Sequence, residues 1–388
     1  MKKLTSKGVV KSLILLLLTT AGIILSFFVN AQSKSEIAAS DPNIRIVGRI
    51  DKTDSNNILF AFPGVNIKAK FEGTSIEVML TEYGSGTNTT TNYFNVIIDN
   101  GAPTVLKLSS SQSRYPLATG LKDTIHTIEL FKRTESVVGK VAFKGFILDS
   151  GKSLVTIDPP KMKKIEFIGN SITCGYGNEI STTTPNDYHF NSVNENNYMA
   201  WGAIAARSLN AEYSCVAYSG RGMYQNNTGS KLGVLPLIYD QIIADDASTT
   251  WDHNNYVPDI VVINLGTNDF YAEVVSAAYN LDSTSFVNAY ITFVKKLRTY
   301  YPNAHIICCV GSMMSDNFPV GGKHWTRIQN YVSSVRNAMN SAGDTKVHYL
   351  KLDPQESPFG EDWHPTINTQ QKMANALVSF INTNIKIR

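Results

Sequence analysis

Cysteine is scarce: four residues in 388, too few to form a disulfide framework in a chain of this length. Cys308 and Cys309 are adjacent inside the apolar run His305 to Val310 and read as small buried hydrophobes. Cys174 and Cys215 can meet only if their segments are neighbours. None of the seven histidines stands at an HxxxH spacing, so no metal site and no cofactor are expected. No heptad run and no repeat is visible. Charged residues are 17% of the chain against 43% hydrophobic, a globular composition with ample material for a core. An excess of one charge is also lacking. The formal charge is +3, and residues 1–31 hold four lysines and no acid, so without them it falls to −1. A chain so near neutrality has no electrostatic footprint for nucleic acid or anionic membrane.

The first residues have the layout of an export signal. Lys2, Lys3, Lys7 and Lys11 precede an uncharged apolar run from Leu13 to Val29, which ends at Val29-Asn30-Ala31 with small residues at the cleavage positions. An uncleaved anchor is the competing reading, because the run is nearly long enough to span a bilayer. Cleavage after Ala31 is favoured, giving a secreted or periplasmic protein with no membrane contact.

Two rhythms divide the remainder. Up to about Leu148 the chain reads as short strands. Ile76, Val78 and Leu80 alternate with polar neighbours, as do Ile128 and Leu130. Asp99-Asn100-Gly101 is a hairpin signal between two apolar segments, and Phe71-Glu72-Gly73-Thr74 is a second turn. A jelly-roll-like all-β sandwich is expected over residues 42–155. After Asp158-Pro159-Pro160, apolar strands alternate with amphipathic helices. That pattern predicts an α/β domain over 160–388, three layers with a parallel sheet between helices.

In such sheets ligands bind beyond the carboxyl ends of the strands, and the loops there hold unusual residues. Ser171 follows the first strand in Gly169-Asn170-Ser171, where a serine is either a nucleophile or an ordinary helix cap. Gly220, in Ser219-Gly220-Arg221-Gly222, can bring a backbone N–H to a substrate oxygen or simply form a turn. Asn268, in Gly266-Thr267-Asn268-Asp269, can donate to an oxyanion, though Gly, Asn and Asp commonly make turns. His364 stands in Glu361-Asp362-Trp363-His364-Pro365, just before the last helix. Together the four loops supply each role of serine catalysis once: nucleophile, base, orienting acid and oxyanion donors.

These loops resemble the conserved blocks of the SGNH, or GDSL-type, hydrolases. The longer context, Ile165 to Gly177 with Ser219-Gly220-Arg221-Gly222, Asp362-Trp363-His364-Pro365 and a sandwich ahead of the hydrolase, is similar to carbohydrate esterase family 2. The resemblance implies Ser171 as nucleophile and His364 as base. It implies an oxyanion hole of Ser171, Gly220 and Asn268. The implied reaction is removal of acetyl groups from polysaccharides such as xylan or glucomannan. Two positions depart from the pattern. Asn170 replaces the usual Asp before the nucleophile, and Glu361 replaces the Asp three residues before the histidine. For the partner of His364, Glu361 ranks first, the Trp363 carbonyl second and Asp362 third. Trp363 is expected to line the cleft, since an aromatic face suits a sugar ring. Two other readings compete: a non-catalytic sugar-binding protein on the same scaffold, motivated by the two departures, and a lipase or thioesterase with the same mechanism.

Overall fold

The computed structural model describes residues 33–386. The expected export signal and its cleavage site lie outside the described residues.

Two antiparallel sheets form the first half. One contains β1 (Ser35–Ala38), β3 (Ile58–Phe60), β5 (Ile76–Glu82), β8 (Arg114–Ala118) and β10 (Val141–Leu148). The other contains β2 (Arg45–Val47), β4 (Asn66–Gly73), β6 (Tyr93–Ile98), β7 (Thr104–Lys107), β9 (Thr124–Lys132) and β11 (Leu154–Val155). The alternation in β5 does what period 2 dictates: Ile76, Val78 and Leu80 are buried, with half-buried neighbours between them. They pack with Phe60, Phe71, Phe94, Leu130 and Phe146 in one inter-sheet core. Asp99 and Asn100 both take positive φ, 51° and 58°, and join β6 to β7 as an antiparallel pair. Both central residues of a type I′ hairpin turn need that conformation. β1 pairs with β10 and lies ahead of the segment 42–155.

The second half is built on a parallel sheet of β12 (Lys164–Gly169), β13 (Glu212–Ala217), β14 (Ile260–Asn264), β15 (His305–Cys309) and β16 (Val347–Leu350), in the order β13-β12-β14-β15-β16. Helices cover both faces, as the strand–helix rhythm predicts. They are α1 (Ser171–Cys174), α2 (Trp201–Ser208), α3 (Leu235–Ile238), α4 (Thr267–Val275), α5 (Ser283–Tyr300), α6 (His324–Ser341) and α7 (Ile367–Asn384). Because the sheet carries apolar residues on both faces, alternate residues enter different cores. Phe167, Val262 and Ile307 pack with Trp201 of α2 and Leu377 of α7. Ile168, Ile263 and Cys308 pack with Phe293 of α5 and Val332 of α6. All four cysteines are buried free thiols.

The sandwich is docked tightly onto this domain. Phe62 joins one of its cores, and Ile97 and Phe131 join the other. Arg49 is fully buried, 3.5 Å from buried Glu166, and its guanidinium lies 4.5 Å from the centre of the Tyr239 ring. Arg133, equally buried, bonds the Val193 carbonyl at 2.9 Å, the Glu195 carbonyl at 3.2 Å and the Glu179 carboxylate.

Candidate active site

β12 is the central strand on this edge of the topology, flanked by β13 and β14, and it ends at Gly169. Asn170 leaves the strand in an extended conformation and caps α1 by accepting from the Ile172 N–H at 3.2 Å. Ser171 is therefore the first residue of a single helical turn at the carboxyl end of the sheet. The capping role is thus filled by Asn170, and the serine hydroxyl is released for another partner. That partner is His364, whose Nε2 lies 2.8 Å from Ser171 Oγ. The two residues are 193 apart in sequence, and both are buried.

The expected orienting acid is not where the sequence reading put it. His364 Nδ1 lies 2.9 Å from the backbone carbonyl oxygen of Glu361, not from its carboxylate. The carboxylate faces away and accepts from the Asn191 N–H at 3.0 Å and Asn194 Nδ2 at 2.6 Å. The second candidate, the Trp363 carbonyl, is taken by Gln355 Nε2 at 2.5 Å. The third, Asp362, accepts from the Tyr176 hydroxyl at 2.6 Å and pairs with His189 Nδ1 at 2.8 Å. The cause is local backbone shape. Asp362 and Trp363 have φ of 47° and 61°, so the loop turns sharply and folds the Glu361 carbonyl back under the imidazole. Gly177 makes room for this turn. A Cβ there would stand 2.4 Å from Glu361 Cβ.

A carbonyl accepts a hydrogen bond and carries no charge, so it selects the tautomer with Nδ1–H and leaves Nε2 free to accept from the serine. Burial holds the imidazole down, to about 4, against the opposing effect of the Glu361 carbonyl bond. His364 is accordingly neutral, the form a general base needs. The Tyr176 ring stacks on it, with centroids 4.0 Å apart and planes 24° apart. Burial and the bond to Asp362 raise the Tyr176 phenol, so it stays protonated and donates.

The other two loops leave the strands that flank β12, at the same end of the sheet. Gly220 follows β13 with φ of 77°, in a turn closed by the Arg221 N–H on the Tyr218 carbonyl. Asn268 lies in the first turn of α4, and its Nδ2 donates to the Arg221 carbonyl at 2.8 Å, tying the third loop to the second. Asp269, beside it, is buried and accepts from the N–H groups of Met223, Tyr224 and Gln225. Burial raises its carboxyl to about 6, against the lowering effect of those three bonds. The sequence reading took Gly266 to Asp269 as a loop; it opens a helix, and Asp269 braces the neighbouring loop. Trp363 is 43% exposed beside the base. Glu135 and Glu195 carried no motif that singled them out, and Asp269 and Tyr176 lay inside the motif blocks without a role, since each acts through partners distant in sequence.

Among the described residues, Glu135, Cys174 and Glu195 bring ligand atoms within 4.8 Å of one another. Burial raises the Cys174 thiol well above its usual value, and the neighbouring Glu135 and Glu195 raise it further. Lys132 already places an ammonium in the same region. That chemistry disfavours a thiolate ligand and an added cation.

An open parallel sheet between helices, with a serine–histidine pair and two further loops at its carboxyl edge, defines the SGNH class of hydrolase. The GDSL-like Lipase/Acylhydrolase family matches residues 167–372, and the Carbohydrate esterase 2 N-terminal family matches residues 46–160. The chain is 38% identical over 349 residues to the Cellulase/esterase CelE of Acetivibrio thermocellus, spanning 89% of this chain but 40% of that protein. It is 27% identical to an Acetylxylan esterase / glucomannan deacetylase of Cellvibrio japonicus, over 95% of this chain and 97% of the relative. A family two carbohydrate esterase from Clostridium thermocellum, solved in complex with cellohexaose, superposes with a TM-score of 0.78 at 38% identity, over 88% of this chain and 99% of that one. The chain belongs to carbohydrate esterase family 2, and the expected fold class, an αβα hydrolase preceded by a β-sandwich, is borne out.

Proposed function

We propose that the protein is a serine esterase that removes O-acetyl groups from carbohydrate, with xylan- or glucomannan-type polysaccharides or their oligosaccharides as substrates. The observation that carries this reading is the 2.8 Å contact between Ser171 Oγ and His364 Nε2, with Nδ1 held by a carbonyl. The names of the relatives, acetylxylan esterase and glucomannan deacetylase among them, support the substrate class.

In this mechanism Ser171 Oγ attacks the acetyl carbonyl carbon while its proton passes to His364 Nε2. The N–H groups of Ser171 and Gly220 and the Asn268 amide stabilise the oxyanion. The tetrahedral intermediate collapses, the C–O bond to the sugar breaks, and the sugar oxygen takes the proton from His364. His364 then deprotonates a water that attacks the acetyl-serine carbonyl; this second intermediate collapses with cleavage of the bond to Ser171 Oγ, which takes the proton back from His364 as acetate leaves. No metal or cofactor takes part. The Trp363 face, exposed beside the base, suits a sugar ring in the cleft. We further propose export, with cleavage after Ala31.

The test is acetate release from acetylated xylan and glucomannan, with turnover of p-nitrophenyl acetate and longer acyl esters, for wild type and Ser171→Ala. Release of acetate by wild type alone, with preference for short acyl groups, is expected. Sugar binding with no turnover by wild type would establish a binding protein instead, and preference for long acyl chains a lipase.

A further inference from the structure

The turn that presents Gly220 is held from two sides: in its own domain the Asn227 N–H donates to the Gly220 carbonyl at 3.0 Å and Asn268 Nδ2 to that of Arg221 at 2.8 Å, and a further grip comes from the sandwich. Tyr218, Ser219, Gly220 and Arg221 form a four-residue turn, and the Ser219–Gly220 peptide is its central one. The orientation of that peptide is what distinguishes the two common turn types, and a φ of 77° at Gly220 matches type II. What holds Ser219 therefore bears on the direction of the Gly220 N–H, together with the Asn227 bond to the Gly220 carbonyl. Ser219 is fixed by Glu135, a residue of the sandwich domain. The Ser219 N–H donates to Glu135 Oε2 at 2.7 Å, and Ser219 Oγ donates to Oε1.

Glu135 is fully buried and is itself braced. Its N–H donates to Glu195 Oε2 at 2.9 Å, and Glu195, also fully buried, belongs to the hydrolase domain. A carboxyl oxygen of each and the sulfur of Cys174, the last residue of the helix that Ser171 opens, lie within 4.8 Å of one another. Glu195 Oε1 is buried with no hydrogen-bond partner. Lys132 is the neighbouring cation, donating to the carbonyl of Thr134 at 2.5 Å and to that of Glu135. Two buried carboxyl groups beside one another are expensive to desolvate even with a lysine nearby, and a purely structural seam is served as well by apolar packing. Retaining them is explained if their geometry serves the site.

We infer that Glu135 is a positioning residue for the esterase reaction: from the sandwich domain, its carboxylate grips Ser219 and aims the Gly220 N–H at the oxyanion. Burial raises both carboxyl groups above their usual range, Glu195 well above it. The sandwich is then part of the catalytic apparatus although none of its residues is assigned a contact with substrate.

This inference rests on the esterase reading, and the experiment separates the two. Wild type, Ser171→Ala, Glu135→Ala, Glu135→Gln and Ser219→Ala are compared on p-nitrophenyl acetate, with circular dichroism to confirm folding. Loss of an oxyanion donor lowers kcat by about 10²–10³-fold, so a misdirected one should lower it by about tenfold or more in Glu135→Ala, with KM within about twofold. Glu135→Gln retains an acceptor for the Ser219 N–H and should recover to within about threefold of wild type. A folded Glu135→Ala protein with wild-type kcat and only a lower melting temperature overturns the inference. So does Glu135→Gln as slow as Glu135→Ala. If Glu135→Ala does not fold, Ser219→Ala decides: a lowered kcat at unchanged KM supports the inference, and unchanged kcat overturns it. If wild type and Ser171→Ala are alike, the esterase reading fails and takes the inference with it.

Discussion

The two domains bury different things. In the hydrolase domain the sheet interior is mostly apolar on both faces, Glu166 of β12 being a buried charge within it, and the groups proposed to react stand at its carboxyl edge on Ser171, Asn268 and His364. In the sandwich, the charges Arg49, Lys132, Arg133 and Glu135 are wholly or almost wholly buried, and three of them lie in the four residues 132–135 at and beyond the end of β9. Arg49, Arg133 and Glu135 bond to residues of the hydrolase domain. A folded domain seldom buries a charge without a partner. For Arg49, Arg133 and Glu135 partners are found across the seam, while Lys132 is met by Thr134 and the Glu135 carbonyl within the sandwich.

The largest effects should separate chemistry from docking. His364→Ala should lower kcat by about 10⁶-fold, the order seen when a triad base is removed, with the melting temperature little changed. A folded His364→Ala protein turning over at more than a hundredth of the wild-type rate would contradict the assignment. Arg49→Ala should do the reverse. Removing it strands buried Glu166, left with the Tyr239 hydroxyl at 2.5 Å, and breaking a buried pair in this way destabilises by about 3–5 kcal/mol. Denaturant melts should show that loss, while the protein that remains folded keeps its kcat. An Arg49→Ala variant as stable as wild type would mean that the seam is held by its apolar contacts alone.

A smaller effect concerns acid. His364 lies at about 4 when folded, against 6.5 for a free imidazole, because burial disfavours the cation. A depressed value means the unfolded chain takes up this proton first. The stability associated with neutral His364 is therefore complete above about pH 6.5 and is lost as pH falls towards 4. Activity should follow the folded value. The acid limb of kcat/KM is expected near 4, and rate measurements between pH 3.5 and 8 that place it at 6.5 would show the base to be better solvated than its burial implies.

What could be read from the sequence was whatever depends on period or on a local motif. Ile76, Val78 and Leu80 announce a strand because alternate side chains share a face, and the apolar run from Ile260 announces a strand buried on both sides. Ser171, Gly220, Asn268 and His364 stood out because each follows a strand or precedes a helix in a recognisable block. Contacts set by backbone turns or by the docking of domains were not legible. The bond from the Glu361 carbonyl to His364 depends on positive φ at two non-glycine residues, which no residue type signals strongly. Glu135 and Ser219 are 84 positions apart and meet only because the sandwich docks where it does. Asp269 looked like a turn residue and is a brace, because the three N–H groups it collects belong to another loop.

The smallest expected effect is the most discriminating, because it sets one loop of the site against the usual design of a triad. Where a carboxylate orients the histidine, its conversion to an amide lowers kcat by about 10⁴-fold, since the amide favours the wrong tautomer and gives no charge to the imidazolium. Here the Glu361 carboxylate points away from the ring, and the carbonyl that replaces it is untouched by a side-chain change. Glu361→Gln should therefore retain kcat to within about threefold, a loss small beside the triad figure. What it should disturb is the loop. Gln can accept from only one of the two donors, the Asn191 N–H or Asn194 Nδ2, and its own amide then faces the other, a mismatch of about 1–3 kcal/mol in stability. Asp362→Asn bears on the same question from the next residue, because Asp362 holds Tyr176 and through it the stacked face of His364. An amide still accepts from the Tyr176 hydroxyl, so this change too should leave kcat within about an order of magnitude. A loss of about 10⁴-fold in Glu361→Gln would show that the loop rearranges in the working enzyme and that the carboxylate, not the carbonyl, orients the base.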